Sequence, residues 1–349
     1  MKLSDFDYYL PKELIAQSPV EPRDASRLMV LGKNVEHRNF SDIVDYFEKG
    51  DTLVLNDSRV IPAKLQGKKS TGGRVEALVI SKNDAGYECL IRGRNLHAGS
   101  KLHFGQLEAG KIEAGKIEVR KLEATILEVR NNPNTNRYLV DFGCNGNLDS
   151  ILENIGEAPL PPYIKKKLED KNRYQTVYSK EKGSIAAPTA GLHFTNGLLD
   201  RIIRKGVNIA YVTLHVGLGT FTPVKVEDIE KHTMEPEYIS ISTENAKIIN
   251  QNNGKLMAAG TTTVKALESS SVNGKTTAME GFSQLFIYPP YEFKSKIDGI
   301  ITNFHLPGST LLMLVSAYAG RERLMGAYSE AISRSYRFYS FGDAMLIFR

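Results

Sequence analysis

Cysteine is scarce in this chain: Cys89 and Cys144 are the two in 349 residues. A disulfide framework is thereby excluded, and the pair lacks the short spacing of a zinc site. A reducing compartment fits. Long apolar runs are also missing. The longest, Leu311 to Ala319, is interrupted by Ser316 and reaches about half the ~20 residues of a membrane-spanning helix, so it is expected to be a buried helix. The first residues, MKLSDFDYYLPKEL, contain no apolar signal-peptide region, and a cytoplasmic protein without a membrane partner is expected. No phosphate-binding Gly-x-x-x-x-Gly-Lys motif occurs, so ATP use has no support. Gly217-Leu-Gly219-Thr lacks the third glycine of a dinucleotide fingerprint, and there is no Gly-x-Ser-x-Gly elbow.

What is present is an ordinary globular composition, 41% hydrophobic and 24% charged, with enough length for about two domains. The net charge of +5 permits an anionic partner such as RNA without requiring one. Basic candidates for an RNA footprint are Lys165-Lys166-Lys167, Arg173, Arg92 with Arg94, and Arg334 with Arg337. Tyr163 and Tyr174 stand beside the first group as stacking platforms.

Pro11 followed by Lys-Glu-Leu-Ile-Ala predicts a short N-terminal helix. Apolar runs at 26–31 and 51–55 read as buried strands, with a helix carrying Ile43, Val44 and Phe47 between them. After Asn56-Asp-Ser-Arg59 the character changes. Short alternating segments up to Phe142, separated by Gly-Gly and Asn/Asp-rich turns, predict a small antiparallel β-barrel. Within it, Glu-Ala-Gly-Lys-Ile repeats from Glu108 and Glu113 as a local duplication in a polar hairpin. From Ile151 onward, helix and strand signals alternate: a helix at 198–205 ended by Gly206, a strand at 207–214, a helix at 243–252 and a strand at 256–259. A further helix is capped by Ser309 or Thr310, and another spans 323–333. The expected fold is α/β: a large mixed α/β domain, residues 1–60 plus 150–349, with an inserted small antiparallel β-barrel domain, residues 61–149.

Five segments concentrate Thr, Asn and His beside Gly or Pro. They are Pro159–Tyr163, Ala187–Thr195, Thr213–Phe221, Gly260–Thr263 and Ile301–Pro307. Loops of this composition at strand ends are where α/β sheets hold ligands. His193, His215, His232 and His305 all fall in or near them, and an imidazole exchanges protons near neutral pH. The four lie too far apart in sequence to form the short ligand pairs of a zinc site, and no metal is expected. The carboxylates of interest are Glu235, Glu237, Glu268 and Asp298; alternation places Glu235 and Glu237 on one face of an extended segment.

Leu10–Gln17, Arg23–Leu28, Leu55–Val60, Tyr174–Tyr178, Ala186–Thr195, Thr213–Phe221, Thr302–Pro307, Tyr336–Phe338 and Phe341–Met345 follow one another in the order found in a known family. Together they resemble the S-adenosylmethionine:tRNA ribosyltransferase-isomerases of queuosine biosynthesis. The resemblance runs nearly end to end and is weakest between Lys68 and Asp149. It implies transfer and isomerisation of the ribosyl group of S-adenosylmethionine onto 7-aminomethyl-7-deazaguanine at the wobble position of a tRNA anticodon stem-loop. The product is epoxyqueuosine, and adenine and methionine leave. S-Adenosylmethionine is then a substrate, no cofactor is bound permanently, and a monomer is expected.

In that chemistry a proton beside the sulfonium must be removed, adenine must be helped to depart, and the aminomethyl group must lose a proton. His215 and His305 are expected to lead these transfers, with His193, His232 and Glu237 in support. The motif positions expected to contact substrate are Arg27, Asn56, Arg59, Thr189, Gly191, Thr213, Gly217, Gly219, Thr220, Thr261, Thr262, Asp298 and Asn303. Thr189, Thr220 and Thr261 supply hydroxyls for the ribose or the methionine carboxylate. Lys165, Lys166, Lys167 and Arg173 are expected to meet tRNA. The chain departs from the family pattern at Glu235, Lys265, Pro290 and Gly308. Two other classes fit part of the pattern. A tRNA-binding relative without catalysis would release no adenine, and a methyltransferase would release S-adenosylhomocysteine.

Overall fold

The computed structural model describes residues 1–105, 122–130, 136–144, 148–166, 168, 170–217, 219 and 224–349. The Glu-Ala-Gly-Lys-Ile repeat from Glu108, the Asn131–Asn134 turn, Lys167 and Thr220 lie outside the described residues. The chain forms two compact units, Met1–Val60 with Pro161–Arg349, and Ile61–Leu160.

In the first unit the chain begins with β1 (Arg27–Leu31), β2 (Val35–Asn39), β3 (Thr52–Asn56) and β4 (Ser58–Val60). The second unit holds β5 (Lys64–Lys69), β6 (Arg74–Asn83), β7 (Gly86–Arg92), β8 (Lys101–Phe104), β9 (Leu122–Arg130), β10 (Arg137–Asp141) and α1 (Leu148–Ile155). The first unit then resumes with β11 (Glu181–Ser184), α2 (Asn196–Arg204), β12 (Asn208–Leu214), β13 (Glu237–Ile241), α3 (Thr243–Asn250), β14 (Leu256–Ala259) and α4 (Thr261–Ser270). It closes with β15 (Ser271–Val272), β16 (Lys275–Thr276), β17 (Met279–Ser283), β18 (Gly299–Asn303), α5 (Thr310–Ala319), α6 (Arg321–Ser333) and β19 (Ala344–Phe348).

Nine strands of the first unit make one sheet in the order β17-β13-β12-β3-β14-β18-β19-β1-β2. β12, β3, β14 and β18 are mutually parallel, so their C-terminal ends share one edge. β19 runs antiparallel to β18 and parallel to β1, which brings the starts of β19 and β1 to that same edge. β13 pairs antiparallel with β12 and brings its first residue, Glu237, there too. The central strands are buried on both faces, and alternation divides them. Leu53, Leu55, Met257 and Ile301 pack against α2 and the turn at Phe40–Tyr46, whereas Val54, Ala258 and Ile300 pack with residues of α3, α4, α5 and α6.

The second unit closes as a six-stranded barrel, β10-β7-β6-β5-β8-β9. Leu65, Val75, Leu102, Phe104, Ile126 and Val140 fill it. α1 adds Leu148 and Leu152 to the same core. By contact the second unit runs on to Leu160, since this helix buries its apolar side with the barrel residues. A second difference concerns Pro11: its ψ of 130° is extended, and the expected N-terminal helix is a single 3-10 turn, Lys12–Leu14. Ile15 leaves that turn to bridge to Phe338, a long-range pairing that local sequence does not announce.

Candidate active site

At the shared edge, the strand ends and helix starts enclose a cavity of about 320 Å³. Its wall includes Thr189, Thr261, Thr262, Asn303, His305 and Tyr163. A pocket of this size suits a small molecule. Among the described residues, no group of three or more His, Cys, Asp or Glu is arranged to hold a metal ion.

His305 follows β18 and is held at three points. Its N–H donates to the Tyr328 hydroxyl at 2.9 Å, its carbonyl accepts from the Tyr8 hydroxyl, and its Nε2 meets Thr302 Oγ1 at 2.8 Å. Beneath it, Tyr8, Phe304, Tyr328 and Phe338 pack ring against ring at 4.9–6.3 Å. That aromatic layer fixes the loop. Burial pushes the His305 imidazole down to about 3, so it is neutral at pH 7 and offers hydrogen bonds rather than charge.

His193 serves the cavity from behind. Its Nδ1 meets Ser26 Oγ at 2.7 Å, and its Nε2 accepts from Asn303 Nδ2 at 3.0 Å. With both nitrogens engaged and the ring stacked on Phe40 at 4.9 Å, it orients Asn303. Burial, reinforced by Arg173, Arg337 and Arg23, pushes it down to about 3. Asn303 also donates to the Tyr339 carbonyl at 3.1 Å and accepts from Thr189 Oγ1 at 3.1 Å, so its amide is clamped from three directions.

His215 lies just past β12, three strands along the edge from β18, the strand that precedes His305. His215 Nδ1 meets Ser58 Oγ at 2.7 Å, and its ring stacks on Tyr238 at 5.2 Å. A side chain at position 183 would meet the imidazole at 2.5 Å, which is why Gly183 backs it. Burial lowers its pKa, and Glu181 opposes the shift. Half-buried, His215 is more open to solvent than the buried His305 and His193. The same strand ends carry Asn56, which donates to the Leu214 carbonyl at 3.0 Å and Thr262 Oγ1 at 3.1 Å, and Thr213, whose hydroxyl donates to Asp57 at 2.7 Å.

Beside them sits a buried ion pair, Lys265 Nζ to Glu237 Oε2 at 2.5 Å, with Gly217 N–H donating to Glu237 Oε1 at 3.2 Å. Lys265, one of the departures from the family pattern, thus neutralises Glu237. Gly219 packs near Glu235. Gly308 (φ +63°) donates its N–H to the Phe6 carbonyl at 2.9 Å.

Other expected residues lie elsewhere. Asp298 precedes β18 at the opposite edge, where its carboxylate accepts from Leu256 N–H at 2.8 Å; it is not part of the cavity wall. Glu268 is spent on Lys294, Ser295 and Tyr291. Arg27 reaches Asp343 and the Arg334 carbonyl and lies over the Tyr336 ring at 4.0 Å, in a separate open groove. Arg59 donates to Ser179 at 3.2 Å. Gly191 is packed against Tyr178, and His232 edges onto Phe286 at 5.2 Å. Lys165 and Lys166 are exposed, whereas Arg173 is tied to Glu21 and the Val20 carbonyl. Tyr174 is fully buried edge-on to Phe341, which overturns its expected role as a stacking platform. Sequence reasoning missed Ser26, Ser58, Tyr8 and Tyr328, which orient the histidines; the first two sit inside the motif segments Arg23–Leu28 and Leu55–Val60.

A family model described as queuosine biosynthesis protein matches residues 3–347. The S-adenosylmethionine:tRNA ribosyltransferase-isomerase of Acetivibrio thermocellus is 51% identical over 99% of this chain and 100% of its own length. This chain belongs to the queuosine biosynthesis protein family. A crystal structure of S-adenosylmethionine tRNA ribosyltransferase from Thermotoga maritima matches 99% of this chain and 100% of its own at 38% identity, with a TM-score of 0.55. Membership gives the cavity its context. Of the motif segments that carry the resemblance, Leu55–Val60, Ala186–Thr195, Thr302–Pro307 and the described part of Thr213–Phe221 bring residues to the sheet edge. No helix among the described residues is long and apolar enough to cross a membrane.

Proposed function

We propose that this chain is an S-adenosylmethionine:tRNA ribosyltransferase-isomerase acting on 7-aminomethyl-7-deazaguanine at the wobble position, with S-adenosylmethionine as ribosyl donor and epoxyqueuosine as product. The observation that carries the reading is 51% identity over the full length of a relative bearing that activity. The cavity's location at the C-terminal ends of parallel strands supports it. In this reading the first unit is the catalytic domain and its cavity receives the donor. His215 is the better-placed proton acceptor, because burial leaves His305 and His193 only weakly basic. His305 acts through hydrogen bonds at the cavity wall, His193 positions Asn303, and the Glu237–Lys265 pair anchors Gly217. The intact ion pair favours a working enzyme over a relative that only binds tRNA.

The test incubates the protein with S-adenosylmethionine and tRNA carrying the deazaguanine precursor, and follows adenine. Stoichiometric release of adenine and methionine is expected. Binding of tRNA without adenine release would sink the enzymatic reading, and S-adenosylhomocysteine would replace it with methyl transfer.

A further inference from the structure

The two helices that start at the cavity end differently. α5 is capped: Ser309 Oγ accepts from Leu312 N–H at 3.2 Å. α4 is not, because its N-cap is Gly260, which has no side chain to turn back on the first turn. Gly260 adopts φ +97°, a conformation that suits glycine, and donates its own N–H to the Ile301 carbonyl at 2.7 Å. The N–H groups of Thr261, Thr262 and Thr263 occupy the first three helical positions, which have no intrahelical acceptor. They are also buried: Thr261 is 5%, Thr262 9% and Thr263 0% exposed. Burying such donors unmatched costs free energy, so their natural complement is an acceptor from outside the chain.

Two side chains point the same way. The Thr261 hydroxyl has no hydrogen-bond partner among the described residues, although Thr263 Oγ1 donates to the Ala259 carbonyl and Thr262 Oγ1 accepts from Asn56. His305, 8% exposed on the facing wall, uses Nε2 on Thr302 and leaves Nδ1 unengaged among the described residues. Two backbone donors, those of Thr261 and Thr262, one hydroxyl and a neutral imidazole thus line one enclosed space, whose wall among the described residues includes no fixed cation. A carboxylate of a small molecule fits this chemistry: helix-start donors favour negative charge, and the enclosure suits a group at the end of a compact ligand.

We infer that the first turn of α4 is the carboxylate subsite for the methionine portion of the donor, with Thr261 its central residue. This rests on S-adenosylmethionine being the donor. The experiment compares two ligands by calorimetry: S-adenosylmethionine and its decarboxylated analogue, which keeps the sulfonium and the amine. The native protein should bind the first at least about tenfold more tightly, as expected for charge-assisted hydrogen bonds. Thr261→Pro removes one N–H and the hydroxyl at a helical position that proline tolerates. It should weaken S-adenosylmethionine about tenfold, leave the analogue within about twofold, and so collapse the preference. Thr261→Val removes the hydroxyl alone and should give a smaller loss of the same kind.

Equal affinity of native protein for both ligands would overturn the subsite whether or not the proline variant folds. So would an undiminished preference in a folded Thr261→Pro variant. If tRNA binding falls in that variant while the preference persists, the turn holds a phosphate instead. Native protein that binds neither ligand would remove the donor reading itself, and this inference with it.

Discussion

The two edges of the nine-stranded sheet treat their polar groups in opposite ways. At one edge, Asp51 accepts from Glu48 N–H at 2.8 Å and Lys255 N–H at 2.7 Å, and Asp298 accepts from Leu256 N–H at 2.8 Å. Carboxylates there close the strand starts, and each is occupied. At the other edge the start of α4 is left without a side-chain cap, and among the described residues nothing engages the Thr261 hydroxyl or the second nitrogen of His305. The same residue types therefore mean different things at the two ends. An Asp at a strand start is a structural clasp; the Thr261 hydroxyl and the second nitrogen of His305 at the strand ends are available to a ligand.

The sharpest way to break this contrast is His215→Ala at the open edge, with Asp298→Ala at the closed edge as its counterpart. Adenine release by His215→Ala should fall by about 10²–10⁴, with its melting temperature close to native, if His215 moves a proton. Near-native turnover in the folded variant would remove it from the mechanism. Next in size is Lys265→Met, which removes the positive charge of Lys265 from the buried Glu237 carboxylate. It should lose about 3–5 kcal/mol in urea unfolding, and Lys265→Arg should lose far less. Equal losses for the two would mean that charge pairing is not what holds this site. Asp298→Ala leaves Leu256 N–H unmatched and should cost about 1–3 kcal/mol while turnover stays within about twofold of native. A turnover loss without a stability loss would put Asp298 back among the substrate-binding residues.

Two smaller effects sharpen the picture. His193 and His305 are held neutral, with pKa values near 3 against an unfolded value near 6.5. The unfolded chain thus binds more protons between those limits. Their contribution is intact above pH 6.5 and is lost as pH falls, each by up to about 1.4 kcal/mol per unit. Urea midpoints at pH 7 and pH 5 should show the fall, and replacing His193 by Gln should shrink it; an unchanged pH slope would mean that His193 is not buried neutral. The smallest expected change is for Lys165→Ser with Lys166→Ser. The slope of log affinity for tRNA against log salt should flatten by roughly one for each phosphate that is no longer neutralised. An identical slope would exclude this patch from the tRNA footprint.

Much of the architecture was legible because it is written locally. Leu53-Val54-Leu55 alternates between two apolar faces, Gly206 stands just past α2, and Ser309 caps α5. The barrel could be read from its short alternating segments and turn residues, although α1 belongs to its core through packing that turn signals do not encode. The edge that bears the site was legible from the Gly- and Thr-rich segments. What each residue does there was not, because its partners are remote: His193 answers to Ser26 and Asn303, and Glu237 to Lys265. Tyr174 looked like a surface platform beside lysines until Phe341, far along the chain, covered it. Pro11 looked like a helix start until Ile15 was drawn to Phe338.

β19, the final strand in sequence, is an interior strand of the sheet, seated between β18 and β1. A ribosome making this chain must therefore reach Ala344–Phe348 before the first strand, already paired with β2, finds its second neighbour. Until Ala344–Phe348 emerges, β1 and β18 both present open backbone to water or to a chaperone, and Arg27 lacks Asp343. A message cut before Ala344 removes an interior stave rather than a fringe. Its product is expected to be cleared by proteolysis instead of persisting as a half-active competitor for substrate.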